Sequence, residues 1–348
     1  MTSFLLIVAC ILVILCDLFE SPNSQLSSRF KTYESFEKNT VDAVYIGTSG
    51  VDRFWISGKA FDDYGMTVYP LSVNGLPSWN IINVVKYAYT YQKPKLVIID
   101  TRPFTWDPST NIDSIPYTKT GRVADQLPLL SPNRIDAINR SVRLMNDIDP
   151  TTNHFKIYYY LTFIHYHDMW SAKNFSFDEI GRDESKFLGY RYYAKKSLEI
   201  NAIKEPVYSD EIGELDKYST RYLLELINYF KDNNINALFV LSPRQVDESN
   251  VCLNNAIFDI IKNEGMNYIN FSEKENVEKY KFDYSHDFYD VSHANFYGAV
   301  KYTDYFSEYL KENYDLPDHR EDEKCAEWNG VYENICQRVK KAVKSNNS

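Results

Sequence analysis

The chain is expected to fold as an α/β protein around a parallel sheet, and three features carry that expectation. From Val41 onward, short apolar runs alternate with stretches of helical periodicity. The run KPKLVIID, ending at Asp100, is apolar throughout its strand portion, the mark of a strand covered on both faces. The first run, DAVYIGTSG, stops at a small-residue turn and gives way to a helix-like stretch. Such alternation implies parallel strands joined by right-handed crossovers.

In order, residues 44–47 read as a first strand and 51–64 as a helix. Residues 66–72 form a second strand that ends at the turn Asn74-Gly75. Pro77 suits a helix start, and apolar spacing continues that helix from Ser78 to Tyr91. After the third strand the alternation breaks. Residues 103–206 read as a mostly helical insertion, with helical periodicity near 135–148 and the aromatic stretch HFKIYYYLTFIHYHDMW. A helix over 217–233, a buried strand over 237–241, a helix over 252–264 and a short strand over 268–270 resume the pattern. A last core helix is expected over 294–313, placing one domain at 40–314, with 315–348 a charged, peripheral tail.

Residues 4–16, FLLIVACILVILC, carry no charge, and residues 1–19 reach the lower limit for a membrane helix of about 20 residues. They are expected to form a single-pass anchor or signal-anchor, with 20–39 as a linker. Arg29, Lys31 and Lys38 follow the apolar run, and by the positive-inside tendency they mildly oppose export of the rest. A net charge of −10 argues against nucleic acid as a partner. Biased codon usage with many Asn and Lys accounts for the 29 tyrosines, with a carbohydrate-facing surface as the alternative. Cys325 and Cys336 would stand about 16 Å apart in one helix, but Asn329-Gly330 could turn the chain and allow a bridge.

Two segments carry the chemistry. In DAVYIGTSGVDRFW, Ser49 stands on a strand-to-helix bend at the carboxyl edge of the sheet, where open α/β sheets build their sites. The same pattern also serves helix caps and phosphate-binding turns. In HDFYDVSHANFYGAVKYTDYFSEYL, Asp290 and His293 precede the last helix. Serine, histidine and aspartate are the parts of a nucleophile, its base and the base's orienter. The N–H groups of Ser49 and Gly50 are candidate oxyanion donors, with Gly75 a further one or a plain turn glycine. Asn295 is a candidate brace or cap for the histidine loop. Arg102 either holds an anionic substrate group or forms a surface ion pair. The set His286, Asp290 and His293 lacks a fourth ligand, so no metal or other cofactor is expected. His154, His165 and His167 read as binding-wall or surface residues.

The segments VYIGTSGVDRFW, NGLP, KPKLVIIDTRPF and DFYDVSHANFYGAVKYTDYFSEYL together resemble the SGNH/GDSL hydrolase superfamily. The resemblance is to its membrane-anchored, cell-envelope branch, related to the D-alanine transfer protein of teichoic acid modification and to alginate O-acetylation proteins. It spans roughly 41–102 and 237–310, over a third of the chain, and leaves the insertion and the tail uncovered. It implies a flavodoxin-like three-layer α/β/α sandwich with Ser49 as nucleophile, His293 and Asp290 as its partners, and Gly75 in the oxyanion hole. It also implies an extracytoplasmic domain, an acylated cell-envelope polysaccharide as substrate, and a multi-spanning membrane acyltransferase as a partner. The superfamily's Gly-x-Asn-Asp block is missing: Asp100-Thr101-Arg102 stands in its place. Two functions therefore follow as expectations. One is a serine acyl-ester hydrolase or O-acyltransferase; the other is a non-catalytic envelope assembly or glycan-binding protein on a degenerate fold of this kind.

Overall fold

The computed structural model of the chain describes residues 2–18, 27–165, 184–192 and 196–346. Its elements are α1 (Thr2–Leu18), α2 (Ser27–Ser35), β1 (Ala43–Gly47), α3 (Ser49–Phe54), α4 (Ser57–Tyr64), β2 (Val68–Ser72), α5 (Ile81–Tyr91) and β3 (Leu96–Asp100). The insertion holds α6 (Gly121–Ala124), α7 (Pro132–Ile148) and α8 (Thr162–His165). Then come α9 (Lys217–Asp232), β4 (Ala237–Leu241), α10 (Glu248–Asn263), β5 (Asn267–Asn270), α11 (Lys274–Tyr280), β6 (Phe288–Asp290), β7 (His293–Ala294), α12 (Phe296–Asn313) and α13 (Val331–Asn346).

β1 to β5 form one parallel sheet in the order β2-β1-β3-β4-β5. Side chains alternate across each strand, so Val44 and Ile46 enter one core while Ala43 and Tyr45 enter the other. Both faces are therefore covered. α2, α5, α9 and α10 contribute to the first core, and α3, α11, α12 and α13 to the second. Continuous apolar runs are the sequence image of this two-sided burial. The strand order reverses direction between β1 and β3, and a sheet of this topology opens a crevice beyond the carboxyl ends of those two strands.

Gly47 ends β1 because nothing larger fits there. A Cβ on it would lie 2.2 Å from the Asp100 Cβ of the neighbouring strand. The chain then turns through extended Thr48 straight into α3. The single helix expected over 51–64 is two, α3 and α4, broken at Trp55-Ile56. There the Thr303 hydroxyl accepts from the Ile56 N–H at 3.0 Å, and the buried Trp55 indole donates to Val68 O at 3.0 Å.

Three boundaries of the expected organisation are corrected. The stretch 20–39 is not merely a linker: α2 buries Arg29, Phe30 and Tyr33 against the sheet. The segment 315–348 is not peripheral. Cys325, Trp328 and Ile335 have no exposed surface, and Trp328 packs on Phe36, Phe61 and Tyr69 with ring centroids 5.4, 5.7 and 6.4 Å away. Cys325 and Cys336 are free thiols, and burial pushes the Cys325 thiol up to about 12. The insertion is helical in α6 to α8, and its Ile138 and Met145 share a small core with Trp79 and with Tyr222 of α9, but 199–216 has no regular structure. The apolar N-terminal segment forms α1, whose 17 residues rise about 25 Å. No helix among the described residues is long and apolar enough to cross a membrane.

Candidate active site

The last loop before α12 is a tight hairpin. β6 and β7 pair antiparallel with Asp290 directly opposite His293, leaving Val291-Ser292 as the turn. Residues opposite one another across such a pair project to the same side with their Cβ atoms about 5 Å apart. This is why an aspartate and a histidine three apart meet here. His293 precedes the helix, as expected, but it pairs as a strand, and Asn295 caps the helix, which starts at Phe296. The Asn295 Oδ1 accepts from the Gly298 N–H at 3.0 Å, and its Nδ2 donates to His286 O at 2.5 Å and to Glu199 O at 3.2 Å. Asn295 is buried, so it braces the loop rather than facing a substrate.

Ser49, His293 and Asp290 come together. Ser49 Oγ lies 2.8 Å from His293 Nε2, and His293 Nδ1 lies 2.9 Å from both Asp290 oxygens. A carboxylate only accepts, so Nδ1 carries the imidazole proton and Nε2 is left to accept from the Ser49 hydroxyl. Asp290 also accepts the Ser292 N–H at 2.8 Å. Partial burial alone would raise its carboxyl, but the His293 hydrogen bond and charge, the Ser292 N–H and the Lys196 ammonium together hold it below the ordinary carboxylate range. The His293 ring stacks on Tyr289 with centroids 5.5 Å apart and planes 6° apart, which fixes its rotation.

Arg102 is not a surface ion pair. It is buried, donates to Ser292 O at 3.0 Å and to the Ser242 hydroxyl, and lies over the Phe54 ring. A Cβ on Gly50 would stand 2.2 Å from its Nη1, so Gly50 leaves room for this guanidinium beside the serine turn. Gly75 sits just beyond β2 at a positive φ of 59°, in a turn closed by the Leu76 N–H to Val73 O at 2.9 Å. Because Ser72 pairs with Gly47, that turn neighbours the Ser49 bend.

Several residues around the site were not singled out by sequence. Asp100 accepts from the Thr48 N–H at 3.1 Å and the Thr48 hydroxyl at 2.8 Å, pinning the serine turn to β3. Asp52, one helical turn after Ser49, is fully buried against Arg29 at 3.0 Å, Arg191 at 3.1 Å and the Ser72 hydroxyl at 2.8 Å. A charged residue at a strand's end was the available signal for Asp100, whereas Asp52, next to Arg53 in a short mixed helix, carried no local mark of its burial. His286 bonds Asp287 at 3.2 Å, and the set with Asp290 and His293 is not gathered into a ligand cluster. His154 faces Asp149 at 3.5 Å, and His167 lies outside the described residues. The described residues that do gather as ligand types are His319, Asp322 and Cys325, but His319 is already held by Asp42 at 2.5 Å and Asp322 at 3.3 Å. The chain matches no known family's sequence profile, no curated protein and no solved structure.

Proposed function

We propose that the chain is a serine acyl-ester hydrolase or O-acyltransferase of the SGNH/GDSL type, acting on an acylated cell-envelope polysaccharide. The observation that carries this reading is the continuous relay from Ser49 Oγ through both ring nitrogens of His293 to Asp290, at 2.8 and 2.9 Å. The strand order 2-1-3-4-5, which is that of flavodoxin-like sheets, supports the fold part of the reading.

In the proposed reaction Ser49 attacks the acyl carbonyl while His293 Nε2 takes its proton. The imidazolium is stabilised by Asp290, and it returns the proton to the leaving alcohol. The N–H groups of Ser49, Gly50 and Gly75 receive the oxyanion; donors of this kind are typically worth about 3 kcal/mol each in the transition state. Water as second acceptor makes the protein an esterase, and a sugar hydroxyl makes it a transferase. Arg102 stands where the superfamily's asparagine donor is missing and contributes positive charge beside Gly50. The same proposal takes α1 as a membrane anchor for an extracytoplasmic domain, and a multi-spanning acyltransferase as donor of the acyl group. Phe4, Leu6, Ile7 and Ile14 on α1 are more than half exposed, which favours burial in lipid.

Fluorophosphonate labelling of the full chain in detergent tests the chemistry. Labelling of the wild type that vanishes in Ser49→Ala supports it. An unlabelled wild type that still binds acylated glycan supports the rival reading of a non-catalytic binding protein, which the absent asparagine donor favours.

A further inference from the structure

The chain is acidic overall, yet the turn beside Ser49 is flanked by cations. Arg122 Nη1 and Lys119 Nζ lie 2.4 and 3.4 Å from the point that a Cβ on Gly75 would occupy. The two charges are therefore near neighbours on one glycine turn and repel directly. Neither forms an ion pair with a carboxylate among the described residues. Arg122 donates to the Asn74 carbonyl at 2.9 Å, and Lys119 stands over the Trp106 ring at 4.4 Å. Both side chains are half-buried, so water screens them incompletely. Arg191 reaches the same turn from the other side, donating to Asn74 Oδ1 at 2.9 Å. Burial lowers the proton affinity of Lys119, and the Arg122 charge lowers it further; burial alone does so for Arg122. A pair of like charges held this way is stabilised by an anion between them.

We propose that Lys119 and Arg122 form an anion subsite, which binds a carboxylate or phosphate group carried by the ester substrate and so orients the acyl carbonyl at the Ser49 turn. The inference deepens the reading of Ser49 as a nucleophile and rests on it for its meaning, whereas anion binding itself is measured without any reaction. Gly75 belongs to both functions. Its missing Cβ admits the Arg122 guanidinium, and in the proposed mechanism its N–H receives the oxyanion. A planar fork and an ammonium side by side suit two or three anionic oxygens. The two sources of such a group share this chemistry, and binding separates them.

The test is titration of the full chain in detergent with inorganic phosphate and, separately, with D-glucuronate, at constant ionic strength set by chloride. Intrinsic tryptophan emission is the readout, since Lys119 touches Trp106. Saturable binding is expected in the wild type and in Ser49→Ala. Lys119→Gln and Arg122→Gln should each weaken it about tenfold or more, the loss of one charge-assisted contact. Lys119→Arg should retain it, as should Arg143→Gln, an exposed arginine of α7. Phosphate alone identifies a phosphorylated substrate and glucuronate alone a carboxylated one; either supports the subsite. Absence of saturable binding of both anions, or binding that ignores Lys119→Gln and Arg122→Gln in variants with wild-type circular dichroism, overturns it. Fluorophosphonate labelling of the same samples distinguishes the two failures: anion binding without labelling removes the ester chemistry and leaves the subsite, and labelling without anion binding does the reverse.

Discussion

Asp290 acts on the proposed reaction only through His293, and its geometry states how. Both of its oxygens reach Nδ1, and its charge is held in place by the Ser292 N–H and the nearby Lys196. Asp290→Asn keeps the shape but offers an amide that can turn its N–H toward Nδ1, favouring the tautomer that cannot take the serine proton. In triads of this design the change lowers kcat by about 10^4-fold. The expected outcome here is a loss of that order in aryl-acetate hydrolysis with the fold unchanged by circular dichroism. A variant within about tenfold of wild type would remove Asp290 from the relay, because the orienting effect is much larger than that. Since the native carboxyl is held below the ordinary carboxylate range, Asp290 stays charged wherever a free carboxyl would. Loss of its charge therefore cannot produce a fall in rate between pH 5 and 7. At this scale the approach of Ser49, Asp290 and His293 was legible, because a small-residue turn after an apolar run and an Asp-x-x-His before a helix have local signatures, whereas the hairpin that pairs the last two was not read. Arg102 was half-legible: its position at the end of β3 could be read, but its burial and its partner Ser292, 190 residues away, could not.

Among the elements, α3 shows how the serine turn is held. Its helix is six residues long and too short to be stable alone. Asp52 fixes it, reaching Arg29 of α2, Arg191 of the insertion and Ser72 of β2 from one buried carboxylate. Burial alone would raise this group. The charges of Arg191, Arg29 and Arg53 and the Ser72 hydrogen bond outweigh that effect and lower it. A carboxyl lowered in the folded state stabilises fully above its unfolded value near 3.9, and the contribution is lost as pH falls through the native value. Asp52→Asn leaves three guanidinium groups around a neutral amide and should cost about 3–5 kcal/mol at pH 7. Urea unfolding at pH 7 measures that difference, and the gap between variant and wild type should narrow towards pH 3. Equal stabilities at pH 7 would contradict this account of α3. The element order was readable because buried parallel strands are apolar without interruption. The break between α3 and α4 was not, since Trp55-Ile56 continues the apolar pattern and only the distant Thr303 hydroxyl reveals the bend.

For the whole molecule, the open question of an α/β sheet is its edges, and β2 is one of them. Unpaired edges invite association with other chains unless covered. Here Arg29 of α2 donates to Ser72 O at 2.9 Å, and the Tyr69 hydroxyl of β2 donates back to Arg29 O at 3.0 Å. The C-terminal segment completes the cover from both sides of the sheet. Trp328 enters the core that holds Phe36 and Tyr69, while Ile335 and Val339 enter the opposite one. His319 ties the approach to the start of β1 through Asp42, and its N–H donates to Gly65 O at 3.0 Å. The segment looked peripheral in sequence because its charges dominate its composition. Trp328 stands before α13, and Val331, Ile335, Val339 and Val343 recur every fourth residue along it, an amphipathic face that the surrounding charges mask in composition. Trp328→Ala should therefore destabilise the full chain by about 3–5 kcal/mol, the usual cost of deleting a buried aromatic. Surface substitutions stay within about 0.5 kcal/mol, so urea unfolding separates a core role from a peripheral one. Because Trp328 packs under β2, and β2 carries the Asn74-Gly75 turn, loss of this cover should also loosen the anion subsite. A Trp328→Ala protein that unfolds at the wild-type urea midpoint would show that the edge is held by α2 alone.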